Sequence, residues 1–227
     1  MTLPELLLID KPKGITSFAV IRELRKKTGI RKFGHAGTLD PLATGLMLIG
    51  VEKGTKLLTN LVGLDKEYVA QILIGEKRST GDMEGEILEE KEYTSNLNES
   101  EAEEKLISLS GETLLPVSAY SAIKKAGKPM YKRARAAAKK GEVLNDIPQR
   151  LMKVHQAELL AFKPFTFQNK KRLLLTVRFS VGSGTYIRSL AEELGKRLCY
   201  PATLYDLRRT KVGEYDIKQA LTLDEIN

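Results

Sequence analysis

Between residues 173 and 181 every second position carries a large apolar side chain, Leu173, Leu175, Val177, Phe179 and Val181, and of the positions between them only Leu174 is apolar. That period gathers them on one face of an extended chain and scatters them around a helix, so the sequence demands a sheet with at least one covered face. A second run agrees, because Tyr68, Ala70, Ile72 and Ile74 alternate with Val69, Gln71 and Leu73. Short apolar runs at 6–9 and 46–51, and the spacing of Ala157, Leu159 and Ala161, predict further strands.

Helical spacing is confined to three places. After a turn at Lys11-Pro12-Lys13-Gly14, Thr16 or Ser17 can cap a helix that buries Val20, Ile21 and Leu24. Ser100 and Glu103 can close a capping box on a helix carrying Ala102, Leu106 and Leu109. A late helix places Ile187, Leu190, Ala191, Leu194 and Leu198 on one side. Strands outnumber helices and do not recur with βαβ regularity, which predicts an α+β fold on a mixed, mainly antiparallel sheet. The polar, basic stretch 139–149, interrupted by Gly141, Asn145 and Pro148, reads as a mobile loop.

The chain has 227 residues, enough to bury a core without covalent staples. Its one cysteine, Cys199, leaves no intrachain disulfide framework and no Cys-rich metal site. His35 and His155 cannot alone build a zinc site, and neither an HExxH arrangement nor a Gly-rich phosphate loop is present. No apolar run approaches the roughly 18 residues a membrane helix needs, and residues 1–10 do not resemble a secretory signal. The expectation is a cytoplasmic monomer without metal, cofactor or membrane partner.

Charge is segregated. Residues 82–104 hold ten acidic residues and one lysine, which predicts a solvent-facing hairpin and helix. Residues 121–160 hold ten basic residues against three acidic ones within a chain of net charge +8. Lys124, Lys125, Lys128, Lys132, Arg133, Arg135, Lys139 and Lys140, set on one surface, would attract phosphates with salt-dependent affinity.

The least generic segment is GHAGTLDPLATG at 34–45. Pro41 disfavours helical backbone at Asp40, and the glycines permit close approach or positive φ. Asp40 by residue type fits an Asx turn or a catalytic carboxylate, and His35 fits a loop hydrogen bond or a substrate contact. In GSGTYIR at 182–188, Ile187 belongs to the buried helix stripe, so Tyr186 and Arg188 point elsewhere, toward a cleft. An arginine beside Asp40 would favour the ionised carboxylate and lower its pKa. Tyr68 is either a core residue or a ring on which a flipped base stacks.

These segments resemble a known family. GHAGTLDPLATG followed by Lys53-Gly54-Thr55-Lys56, with LLIDKPKGITS, KEYVAQILIG, STGDMEG, YSAIKKAGKPMYKRAR, GTYIRSLAEELG and LRRTKVG in the same order, resembles the TruB family of transfer-RNA pseudouridine synthases over residues 7–213. The resemblance implies the pseudouridine synthase catalytic fold, a mixed sheet with helices flanking a central cleft. It implies one catalytic domain over 1–227 with RNA-binding insertions and without the C-terminal PUA-like RNA-binding domain of many relatives. The implied reaction is isomerisation of the T-loop uridine, without metal or organic cofactor. By similarity Asp40 is the nucleophile, Tyr68 stacks on the target base, Arg188 pairs with the aspartate, Tyr186 lines the pocket and His35 sits near the displaced nucleotide. Lys11 and Lys56 resemble structural or backbone-contacting residues, and Lys124, Lys125, Lys128, Lys132 and Arg133 lie in the region that covers the T arm. The chain departs from the family pattern at Leu115-Pro116-Val117-Ser118, which lacks the paired prolines and glutamine.

The chemistry leaves the point of attack open between carbon 6 of the uracil and carbon 1′ of the ribose. The competing reading is a noncatalytic RNA-binding or RNA-folding protein on the same scaffold. A nuclease or glycosidase would need a second carboxylate, for which Asp82 is the available residue.

Overall fold

The computed structural model of the chain describes residues 3–226 except 122, 126, 141, 143 and 145, and its backbone enters a sheet at once. Strand β1 (Leu6–Lys11) alternates its side chains: Leu7 and Ile9 enter the main core, whereas Leu6 and Leu8 join a small cluster with Ala36, Leu46, Leu48 and Val212. Helix α1 (Ser17–Thr28) is capped by Thr16, whose Oγ1 accepts from the Ala19 amide at 3.0 Å, and it ends at Gly29 in the left-handed region. Of the two candidate caps, Thr16 takes the role and Ser17 is buried for another purpose. Strands β2 (Phe33–Ala36) and β3 (Thr44–Val51) run antiparallel, joined by the loop 37–43 that carries Asp40.

A 3₁₀ turn (Glu52–Lys56) and the short α2 (Leu58–Val62) lead to β4 (Lys66–Ile74). Strands β5 (Glu76–Arg78) and β6 (Ile87–Glu90) form a small hairpin, followed by α3 (Glu99–Ile107) and β7 (Gly111–Pro116). The N-cap of α3 is Asn98, which accepts from the Glu101 amide at 2.9 Å; the box expected at Ser100 does not form, because a cap two residues earlier already satisfies that turn. A second small ribbon, β8 (Lys124–Lys125) with β9 (Lys128–Pro129), precedes the basic α4 (Met130–Ala138). Then come β10 (Gln149–Phe167) and β11 (Lys170–Val181), a long hairpin, α5 (Ile187–Arg197), β12 (Ala202–Val212) and β13 (Tyr215–Asp216). Of the stretch read as a mobile loop, Gly141 and Asn145 lie outside the described residues.

The sheet order is β1-β3-β12-β4-β11-β10-β7, with β2 on β3 and β13 on β12. The two alternating runs are neighbours at its centre, Phe179 opposite Tyr68 and Val177 opposite Ala70. Among the described residues only β3 with β12 pairs in parallel within this sheet, which makes it mixed and mainly antiparallel as expected. Its inner face, α1, α3 and α5 share one core; α5 lies against β12 and β4 through Leu190, Ala191 and Leu194.

The parallel junction explains one glycine of the 34–45 motif. Gly45 pairs with Arg209 at φ +107°, and a Cβ there would stand 2.3 Å from the Arg209 carbonyl oxygen. No other residue fits both constraints. The Asp40 loop therefore leaves the sheet exactly one strand away from Arg209, whose side chain turns back toward that loop.

Candidate active site

The loop 37–43 is held on both sides of Asp40. Before it, the Ser17 hydroxyl accepts from the Leu39 amide at 2.8 Å and donates to the Leu39 carbonyl at 3.0 Å, and Arg209 donates to the Gly37 carbonyl at 3.2 Å. After it, the Pro41 carbonyl accepts from the Gly14 amide at 2.8 Å and from the Lys11 ammonium at 3.3 Å. Lys11 is fully buried, also donates to the Pro12 and Ile15 carbonyls, and is brought down to about 8 by burial, against the pull of Asp40 and Glu84. A loop with so many anchors fixes its one carboxylate in place before any ligand arrives.

Opposite stands Arg188, in the first turn of α5. One guanidinium nitrogen lies 2.9 Å from an Asp40 oxygen, and the other lies 3.5 Å from an oxygen of the buried Asp82. The same arginine donates to the Thr80 carbonyl at 3.0 Å and the Tyr120 carbonyl at 3.4 Å. Asp82 is in turn fixed by the Thr80 hydroxyl at 2.5 Å and the Glu84 amide at 3.1 Å. Arg188 is thus a planar fork between two carboxylates, a geometry lysine could not reproduce. Its side chain is 6% exposed, whereas that of Asp40 is 37% exposed and open to the cleft.

The Asp40 carboxyl is nevertheless held above the ordinary carboxylate range. Burial is the largest cause, Asp82 adds to it, and Arg188 and Lys11 only partly offset the two. The neighbouring arginine does lower this pKa, as expected, but desolvation outweighs the ion pair and the net direction is upward.

Asp40 opens into a cleft of about 330 Å³ lined by Tyr68, Tyr186, Ser121, Lys66, Arg150 and Arg209 among others. Lys66 is buried and brought down to about 8 by desolvation and by Arg209; it donates to the Val62 carbonyl at 2.8 Å and to the Leu64 carbonyl. Tyr186 is raised above the ordinary phenol range by burial. A cleft with a carboxylate, two tyrosines and several cationic side chains suits a planar polar ring attached to phosphates. Among the described residues no group of three or more His, Cys, Asp or Glu is placed to hold a metal ion.

Asp40, Tyr68, Tyr186 and Arg188, expected from distant segments, therefore meet in one cleft. His35 lies on β2, half-buried, outside the residues lining that cleft; burial and Arg209 lower its pKa, and its Nδ1 has no hydrogen-bond partner among the described residues. Lys56 is exposed on the 3₁₀ turn, also outside the lining. Lys124, Lys128 and Lys132 are exposed, while Lys125 and Arg133 both pair with Asp146, the latter at 3.5 Å. The acidic stretch is not wholly a solvent-facing surface: β6 and much of α3 are exposed, but Asp82 is buried at the site because Arg188 supplies its counter-charge. Sequence reading missed Ser17, Lys66, Arg150 and Arg209 as site residues. For Ser17 a signal existed, a hydroxyl on the same face as Val20, Ile21 and Leu24.

The sequence matches, over residues 25–187, the family described as "TruB family pseudouridylate synthase (N terminal domain)". The tRNA pseudouridine synthase B of Leifsonia xyli subsp. xyli (strain CTCB07) is 46% identical over 217 residues, 95% of this chain and 69% of that protein. That of Thermobifida fusca (strain YX) is 39% identical over 220 residues, 97% of this chain and 73% of that protein. Among solved structures, one chain of an H/ACA RNP bound to a substrate RNA containing 2′-deoxyuridine aligns with TM-score 0.64 at 24% identity, covering 97% of this chain and 51% of that one. A chain of the archaeal box H/ACA sRNP Nop10-Cbf5 complex aligns with TM-score 0.63 at 23% identity, covering 97% and 52%. This chain spans about half the length of either, and the likeness is one of fold.

Proposed function

Since the chain belongs to the TruB family of tRNA pseudouridine synthases, we propose that it isomerises the T-loop uridine of tRNA to pseudouridine with Asp40 as nucleophile. The observation that carries this reading is the Asp40 carboxylate, open to the cleft and gripped from behind by an arginine that a second, buried carboxylate holds. The carboxylate forms an adduct with the target nucleotide and the bond from N1 of the base to C1′ of the ribose breaks. The uracil turns within the cleft, a bond forms from C5 to C1′, the bond from the nucleotide to Asp40 breaks and returns the carboxylate, the C5 proton leaves to solvent and N1 takes a proton. Atoms and electrons balance without an oxidant or cofactor. Tyr68, on the cleft wall, offers the face on which the extruded base stacks, and enclosure keeps the detached base from exchanging with water.

On this reading the basic segment contacts the phosphates of the T arm. The Tyr131 amide in α4 donates to the Ser121 carbonyl at 3.0 Å, so the basic helix begins at the rim of the cleft. Replacing Lys124, Lys128 and Lys132 together by alanine is expected to raise KM for T-arm RNA and to flatten the log KM against log salt slope by about 2, at roughly 0.7–0.9 per lost phosphate contact. An unchanged slope would remove these lysines from the RNA footprint.

The decisive experiment is tritium release from T-arm RNA labelled at C5 of its uridines. Release with an intact RNA product, unaffected by EDTA, is expected. Binding without release would favour the noncatalytic reading, and free uracil would make the protein a glycosidase.

The acid limb of kcat/KM follows from the Asp40 environment. The nucleophile works ionised, and burial with Asp82 raises its pKa, so activity should fall with decreasing pH at a midpoint above the 3.8 of an ordinary aspartate. Asp82→Asn removes the like charge and should move that midpoint down. A limb that stays put or moves up in Asp82→Asn would show that Asp82 acts otherwise.

A further inference from the structure

Beside the nucleophile one buried hydroxyl is left over. Ser121 lines the cleft, is 3% exposed, and its Oγ has no hydrogen-bond partner among the described residues. The Tyr186 phenol, whose pKa burial raises, lies near enough to Ser121 for a weak side-chain hydrogen-bonding influence that partly lowers it, but the pair falls short of full hydrogen-bond geometry and leaves the Ser121 hydroxyl free to turn to a ligand. Nor is the residue loosely held. Its carbonyl accepts from the Tyr131 amide at 3.0 Å, and the neighbouring Tyr120 carbonyl accepts from Arg188 at 3.4 Å, so the backbone that aims the hydroxyl is tied both to α4 and to the catalytic arginine. A buried hydroxyl without a partner opposes folding, and alanine would fit the same backbone without that cost. The chain keeps this unsatisfied group where the reacting nucleotide must lie.

We propose that the Ser121 hydroxyl is a specificity-determining substrate contact, hydrogen-bonding a polar group of the nucleotide presented to Asp40. The inference rests on reading the cleft as a pseudouridine synthase site. A hydroxyl both donates and accepts, so it can pair with the oxygens and N–H of the uracil edge or with the ribose 2′-hydroxyl. A site built around such a contact discriminates strongly against nucleotides that cannot make it, because the group is otherwise left buried and unpaired.

The test compares wild type, Ser121→Ala and Ser121→Cys in tritium release from T-arm RNA, with thermal denaturation alongside. Ser121→Ala should lose about tenfold or more in kcat/KM, keep or raise its Tm, and leave the acid limb of the pH profile where it was. Ser121→Cys, similar in volume but a weak donor, should fall between the two. The inhibition constant of T-arm RNA carrying 2′-deoxyuridine at the target then names the partner. If Ser121→Ala weakens that inhibitor as it weakens the substrate, the contact is to the base; if it leaves the inhibitor unchanged, the contact is to the 2′-hydroxyl. A Ser121→Ala enzyme within about twofold of wild type overturns the inference, as does a fall in Tm that accounts for the lost activity. Should wild type itself release no tritium, the underlying assignment of the reaction fails and this contact with it.

Discussion

Asp40→Asn protein is expected to fold, to bind T-arm RNA with nearly unchanged affinity, and to release no measurable tritium, a loss of at least about 10³-fold in turnover. Asparagine has the same shape and can still accept from Arg188, so the anchors at Leu39 and Pro41 survive; what disappears is the nucleophilic anion. In the proposed reaction that anion forms the bond on which every later step depends, so the loss should fall on kcat and leave KM nearly alone. Residual turnover within tenfold of wild type would exclude Asp40 as the nucleophile. A variant that no longer binds RNA would show instead that the carboxylate is needed to build the cleft.

Arg188→Leu should be nearly as damaging, and in two separable ways. Removing the guanidinium strands the buried Asp82 without its counter-charge, and breaking a buried pair from one side costs about 3–5 kcal/mol. It also removes the largest influence holding the Asp40 pKa down, so the carboxyl moves further up and a larger fraction is protonated at neutral pH. The expected enzyme is less stable to urea by that amount, slower by about 10³-fold, and its acid limb is displaced to higher pH. Adding Asp82→Asn in the same chain removes the stranded charge and should restore much of the stability but not the rate, because Asp40 still lacks its partner. Equal stability of Arg188→Leu and wild type would mean that the Arg188–Asp82 contact carries no weight in the fold.

The damage expected from Arg188→Leu shows which parts of the site could be read in the chain. The motif around Asp40 was legible because its constraints are local: proline sets the backbone of the preceding residue, and glycine alone accepts the φ of Gly45 beside a strand. Tyr186 and Arg188 were legible because Ile187 fixes the inward side of α5. Asp82 was harder. It opens a run of acidic residues, and in sequence nothing separates a carboxylate that points to water from one that points to an arginine 106 positions later. The direction of the Asp40 pKa was equally hidden, since the ion pair is implied by residue types whereas desolvation depends on how much protein surrounds the carboxyl. Thr16 and Ser17 are equal candidates for the cap in sequence, since hydroxyls serve there; Thr16 takes it, freeing Ser17 for the Leu39 backbone.

By itself, the amino-acid sequence determined strands β1, β3, β4 and β11, part of β10, the late helix, the segment of Asp40 and the family, because period-two alternation, helical spacing and backbone restrictions act between neighbours in the chain; β12, which lies between β3 and β4, was not among them. The sheet order, with its parallel β3–β12 contact, was decided only by tertiary structure. So were the grip of Arg188 on two carboxylates, the burial that raises the Asp40 pKa, and the Ser121 hydroxyl in the same cleft, without a hydrogen-bond partner among the described residues. These depend on pairs of groups far apart in the chain whose energies come from distance and exclusion of water, and neither quantity exists until the sheet has formed.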